Sequence, residues 1–144
     1  MVQHEHFRKI ENMMHSAPFV QWAGARVTVG DATAEIKFQV RHDFFHAAKA
    51  MHGALYFLAL DNAAFFAVQS LVDDVFVLTV TFTTYLTRPV SEGALRSVGK
   101  VVHKGKTQFI AESILYDSED REIGRASGVF IRGKTPLTPD IGYL

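Results

Sequence analysis

Asp61 is the residue whose surroundings in this sequence most favour chemistry. It is the only charged residue between Lys49 and Asp73. On a helix its neighbours at three and four positions are Phe57, Leu58, Ala64 and Phe65, all apolar. Burial among such side chains disfavours the ionised form and raises the pKa of a carboxyl group. A carboxylate of raised basicity in a cleft can act as a general base or a nucleophile. The residues alone leave another reading open: an Asp paired with a distant Lys or Arg, or one that reaches solvent through a gap. Nine positions earlier stands His52-Gly53-Ala54. If a helix begins there, its first-turn N–H groups lack partners within the helix and carry the positive end of its dipole. Gly53 has no side chain to keep a carbonyl oxygen from those donors, so the helix start can polarise a carbonyl and stabilise the oxyanion formed on it. The plainer alternative is a tight turn at Gly53 capped by His52.

The elements that must position these groups are legible in outline. Gly53 to Leu71 reads as a helix with five Ala, three Phe and four Leu, apolar around nearly its whole circumference and therefore expected to be buried. Before it, His4 to His15 has Phe7, Ile10 and Met14 at helical spacing, and Pro18 is expected to end that helix. Ala25–Gly30 and Ala32–Val40 read as a strand pair. After the long helix, Val75 to Leu86 is β-branched and aromatic, with Thr79, Thr81, Thr83 and Tyr85 expected on one face. Ala94–Val102, Thr107–Tyr116 and Ile123–Ile131 follow. The short breaks at Glu92-Gly93, Lys104-Gly105 and Ser118-Glu119-Asp120 point to antiparallel hairpins. The order implies an α+β domain spanning 1–144, an antiparallel sheet wrapped around one helix, with an N-terminal helix in 1–17 and an extended tail over 133–144. A single sheet leaves an open face and edges, so a dimer is expected.

Composition narrows the function classes. The chain has 144 residues, 48% hydrophobic and 21% charged, with 15 basic and 15 acidic residues; no overall field favours nucleic acid or an anionic membrane. Without cysteine there are no disulfides, thiolate metal sites or cysteine nucleophiles, which suits a reducing, cytoplasmic setting. The charged N-terminus lacks a signal-peptide core. A central Asp61 argues against reading Ala50–Val72 as a membrane span. Gly99…Gly105-Lys106-Thr107 misses the phosphate-loop spacing and is followed by a strand pattern. His42 and His46 have metal-ligand spacing but no carboxylate to complete a set, so no metal is expected.

Taken together, the stretch from His52 to Asp61-Asn62-Ala63 resembles the His-Gly-Gly…Asp motif of PaaI-type hot-dog-fold acyl-CoA thioesterases, in the 4-hydroxybenzoyl-CoA thioesterase superfamily, with the same nine-residue His-to-Asp spacing. Tyr85-Leu-Thr-Arg88-Pro89-Val90 is similar to the family's aromatic-Leu-Arg-Pro strand end, with one residue more, and His103 to Thr107 to its Gly-Arg/Lys hairpin. The resemblance spans roughly Ala25 to Arg132. It implies a six-stranded hot-dog sheet, a homodimer or dimer of dimers, and sites formed between subunits. Asp61 of one chain would face the Gly53 helix start of the other, activating water or attacking the thioester of an acyl-CoA. Coenzyme A would arrive as part of the substrate, with no separate cofactor. Arg88, Lys104 and Lys106 become candidates for its phosphates, beside the reading as solvated hairpin charges. Ala54 replaces the second motif glycine. His46 stands where the family often has an Asn, and Thr79 or Thr81 could assist the water. Ala54, Asn62 and Phe65 are candidate substrate contacts; Phe44, Phe45, Tyr56, Phe57 and Phe66 join Phe65 as aromatics near the helix that could line an acyl pocket or simply fill the core. A hydratase or dehydratase, and a non-catalytic acyl-CoA-binding or sensing domain, are the rival functions on the same fold.

Overall fold

The computed structural model describes residues 3–144. Helix α1 (Gln3–Ser16) is followed by a short α2 (Pro18–Ala23), strands β1 (Arg26–Gly30) and β2 (Thr33–Gln39), and a 3-10 turn at His42–Phe44. Then come α3 (Gly53–Gln69), β3 (Val75–Leu86), β4 (Ala94–Lys104), β5 (Gln108–Tyr116), β6 (Glu122–Pro136) and a 3-10 turn at Pro139–Ile141. The six strands form one antiparallel sheet in the order β1-β2-β4-β5-β6-β3. This is the α+β arrangement expected from the sequence. Helix α3 lies against the sheet with twelve of its seventeen residues buried, because it has no polar face to offer solvent. Small residues set its depth: a Cβ on Gly99 would stand 2.2 Å from the Ala63 carbonyl oxygen, so strand and helix backbones meet there.

Four expectations need correction. Pro18 does not simply end the first helix; it opens α2 at its first turn, where a missing N–H leaves nothing unsatisfied. Strands β3 and β4 are not a hairpin. β3 pairs with β6 at the far edge, and residues 87–93 cross the end of the sheet to reach β4. The tail is not an extended arm throughout: β6 continues to Pro136, and the chain then turns so that Tyr143 is buried. The threonines of β3 do not share one face either. Thr79 pairs with Phe130 but Thr81 with Val129, so Val80 is an extra residue in the ladder, a β-bulge. Directly paired residues share a face. Thr79 therefore lies with buried Phe130 toward α3, while Thr81 is turned to the outer face with Thr83 and Tyr85.

The two sheet edges are treated differently. Along β1, the amides of Val29 and Val27 donate to Glu11 Oε2 and His15 Nε2 of α1, at 2.8 and 3.0 Å, which covers that edge. Along β3, Leu78, Val80, Tyr85 and Leu86 are exposed. The C-terminal end of α3 is fastened by Gln69, which donates to the carbonyls of Val72 and Val75 and accepts from the Val77 amide. The Gln69 carbonyl accepts from His6 Nε2, which places the His6 proton on that nitrogen. Tyr143 Oη then donates to His6 Nδ1 at 2.9 Å. α1, α3 and the chain end are thus tied together by one buried network.

Candidate active site

Asp61 lies midway along α3, partly covered, on the wall of a cavity of about 700 Å³. Its Oδ1 accepts a hydrogen bond from Thr79 Oγ1 at 2.9 Å. Thr79 precedes the bulge and points inward in phase with buried Val77, whereas the bulge turns Thr81 outward. No ion pair among the described residues reaches Asp61, so the reading of a carboxylate paired with a distant Lys or Arg does not hold within the chain. Burial raises its pKa above the ordinary carboxylate value, and the Thr79 hydroxyl offsets part of that rise. The same cavity is lined by Asn62 and Phe65, two of the expected substrate contacts, and by Phe66 and Phe76. Asn62 is steadied by donating to the Leu58 carbonyl at 2.8 Å.

A second hollow, of about 310 Å³, lies at the helix start and is lined by His46, Gly53, Tyr56 and Arg88. His52 is the N-cap of α3, its Nδ1 accepting from the Ala54 amide at 2.9 Å. The capping reading of His52 thus describes the arrangement, in which the Ala54 amide is taken up by the cap and is not open to a ligand. His46 Nδ1 accepts from the Ala48 amide at 3.0 Å. In both rings the nitrogen that accepts carries no proton, so the neutral imidazole holds its N–H at Nε2. The ring centres are 6.5 Å apart. The donors at this end are thus the Gly53 amide and two imidazole N–H groups. Arg88 is held here by its backbone, whose carbonyl accepts from Tyr56 Oη at 2.7 Å.

The expected site residues therefore sort into two groups. Asp61, Thr79, Asn62 and Phe65 share one cavity; His46, His52, Gly53, Ala54 and Arg88 gather at the helix start. Eight residues of helix separate Gly53 from Asp61, roughly 12 Å along the axis, so one carbonyl cannot touch both within one chain. Lys104 and Lys106 join neither group. They lie at the β4–β5 turn, at the opposite end of the sheet from Arg88, which follows β3 beyond the Leu86–Gly124 pair. Thr81 faces away from Asp61. Of the other aromatics, Phe44 is core beneath Trp22 and Arg41, while Phe57 is half exposed against Phe82. The sequence reading missed Phe76 and the cavity wall built by Met13, Met14 and Ile141. The helical spacing of Met14 was visible, but which face of α1 met Asp61 was not. Among the described residues no group of three or more His, Asp or Glu is placed to hold a metal ion, and no helix is long and apolar enough to cross a membrane.

A sheet in this order around one central helix is the hot-dog fold, and solved structures with it superpose closely on the chain. The PaaI protein from the phenylacetic acid degradation operon of E. coli matches with a TM-score of 0.86 at 16% identity, covering 96% of this chain and all of that one. A conserved protein of Pseudomonas aeruginosa matches with a TM-score of 0.78 at 22% identity, covering 84% and 97%. A thioesterase of Haemophilus influenzae matches with a TM-score of 0.75 at 15% identity, covering 83% and 85%. No curated protein matches in sequence. Residues 48–124, more than half of the chain, including the whole of α3 and every residue of the two site groups except His46, match the family profile of the thioesterase superfamily. The chain belongs to that superfamily.

Proposed function

We propose that the protein is an acyl-CoA thioesterase that acts as a homodimer, with each site completed by two chains. The observation that carries this reading is the separation of an acid-bearing cavity from a donor-bearing hollow by about two turns of one helix. Two copies placed with their exposed β3 edges together would set the Asp61 group of one beside the Gly53 group of the other. The thioester carbonyl is polarised by the Gly53 amide and the Nε2–H donors of His52 and His46. Asp61, poised by burial and steadied by Thr79, either takes a proton from the attacking water or attacks the carbonyl carbon itself. The C–S bond breaks and the CoA thiolate is protonated to CoA; water added directly gives the free acid, and on the nucleophilic route a water then cleaves the acyl–Asp61 anhydride to the free acid and the regenerated carboxylate. Arg88, beside the donor hollow, is the cation best placed for a substrate phosphate; Lys104 and Lys106 could serve only from the partner chain.

Hydrolysis of an acyl-CoA panel tests the reaction. The shared site is tested by mixing Asp61→Asn chains with Gly53→Val chains. Each mixed dimer then holds one intact site, and activity absent from both parents returns. Failure of the mixture to regain activity, with both parents folded, would exclude a site shared between chains. Label found in the Asp61 carboxylate after a single turnover in ¹⁸O-water identifies that group as the nucleophile, because water acting directly on the thioester leaves the carboxylate unlabelled.

A further inference from the structure

The cavity that holds Asp61 is closed on its far side by the two ends of the chain. Met13, Met14, Ala17 and Val20 contribute from the α1–α2 joint, and Ile141 and Gly142 from the C-terminal turn. All six lie outside residues 48–124, so this wall belongs to the chain's own termini rather than to the segment matched by the superfamily profile. It is firmly seated. A Cβ on Gly142 would stand 2.3 Å from Ser16 Oγ, so the C-terminal turn packs directly on the end of α1. The next residue, Tyr143, is joined through His6 to the Gln69 carbonyl of α3. The wall is thereby tied to the helix that carries Asp61.

The chemistry of the lining is one-sided. Its volume of about 700 Å³ falls within the range of roughly 300–1,000 Å³ usual for small-molecule sites. Methionine, valine, isoleucine and phenylalanine supply seven of the sixteen lining residues, and Ala17, Pro18 and Pro139 add further apolar surface. Among the described residues the ionisable groups in it are the carboxyls of Asp61 and Asp140, and no Lys, Arg or His lines it. An acyl chain ending in a carboxylate would meet the partly buried Asp61 carboxyl within the cavity and the exposed Asp140 at its rim, with no lining cation to offset them. An uncharged chain or ring would meet apolar side chains.

Resting on the thioesterase reading for which end of the substrate enters here, we propose that the wall built by the α1–α2 joint and the C-terminal turn selects the acyl group: the cavity takes uncharged apolar acyl chains or rings and rejects acyl groups that end in a carboxylate. Two non-hydrolysable ligands test this on the wild-type protein, S-hexyl-CoA and S-(5-carboxypentyl)-CoA, titrated calorimetrically. The carboxylated ligand is expected to bind at least tenfold more weakly. Ala17→Arg, which places one cation on the wall, is expected to narrow that gap to less than threefold by tightening the carboxylated ligand, and Ala17→Lys serves as a second carrier of the charge should the first variant fold poorly. Equal affinities in the wild type overturn the proposal, as does failure of both ligands to bind. So does a tenfold gap that neither folded cationic variant changes, because the selection then lies elsewhere. These ligands do not turn over, so the outcome stands apart from the hydrolase reading, which falls separately if the wild type leaves hexanoyl-CoA and the rest of the acyl-CoA panel uncleaved.

Discussion

Asp117, at the turn between β5 and β6, has 6% of its surface exposed. It accepts hydrogen bonds from the amides of Glu119 and Arg121, both at 2.9 Å, and from Arg121 Nε at 2.8 Å. Asp61, in the middle of α3, accepts one bond, from Thr79. Burial raises the pKa of each. At Asp117 the Arg121 amide and guanidinium and the Glu119 amide outweigh it, and the pKa falls below the ordinary value. At Asp61 the single hydroxyl does not, and the pKa is raised. The carboxylate with three donors is the one held ionised. Donor supply separates an acid that closes a turn from an acid kept basic enough to take a proton.

Removing each acid should expose that difference. Asp61→Asn keeps the size and the Thr79 contact but cannot accept a proton, so kcat for acyl-CoA hydrolysis is expected to fall at least about a hundredfold while binding is largely kept. Asp117→Asn should leave kcat close to wild type and lower the Tm, since the amide cannot replace a carboxylate facing three donors. Steady-state kinetics beside thermal melts check the pair, and a large loss of kcat in the Asp117 variant would break the contrast. Thr79→Val comes next in size. Losing the one donor that stabilises ionised Asp61 is expected to lower kcat about tenfold near neutral pH and to move the acidic limb of the pH–rate profile upward. Thr79→Ser should restore both. A Thr81→Val profile that moves as far would contradict the inward and outward assignment made by the bulge.

That bulge marks where sequence reading reached its limit. The apolar circumference of α3, the lone charge within it and the strand periodicities all follow from residue types at fixed spacing, so the sheet, the central helix and Asp61 were readable. Period-two reasoning assumes an unbroken ladder. One extra residue at Val80 reverses the faces of everything after it, which is why Thr79 and Thr81 could not be told apart. The β3–β4 hairpin failed for a related reason: a short connection is compatible with a hairpin or with a crossing over the sheet end, and the choice depends on long-range pairing with β6. The cavity wall was hidden because it joins Met13 to Ile141, contacts set by folding alone.

The seam beneath Asp61 offers a smaller test. Gly99→Ala must push α3 and β4 apart near Ala63, and an overpacking cost of about 1–3 kcal/mol is expected in denaturant unfolding. Because the shift moves the helix that carries Asp61 against the strand that carries Thr79, kcat should fall in step, whereas a change at the Asp117 turn should not alter kcat.

The finest distinction lies in how stability responds to pH. For Asp117 the folded pKa is depressed, so its contribution is present above the unfolded-state pKa and is lost as pH falls through the folded value. For Asp61 the folded pKa is raised. Between the unfolded and folded values the native state holds the proton that the unfolded chain has released, so stability declines as pH rises through that window, and the penalty persists at neutral pH. Melting curves taken from acid to neutral pH should therefore diverge in opposite directions. Asp61→Asn is expected to equal or exceed the wild-type Tm at neutral pH and to lose that advantage in acid, below the ordinary carboxylate pKa. Asp117→Asn should be less stable at neutral pH and approach wild type as the medium is acidified. If the two difference curves bent the same way, the carboxylates would be serving one role, and the separation of a structural acid from a catalytic one would collapse.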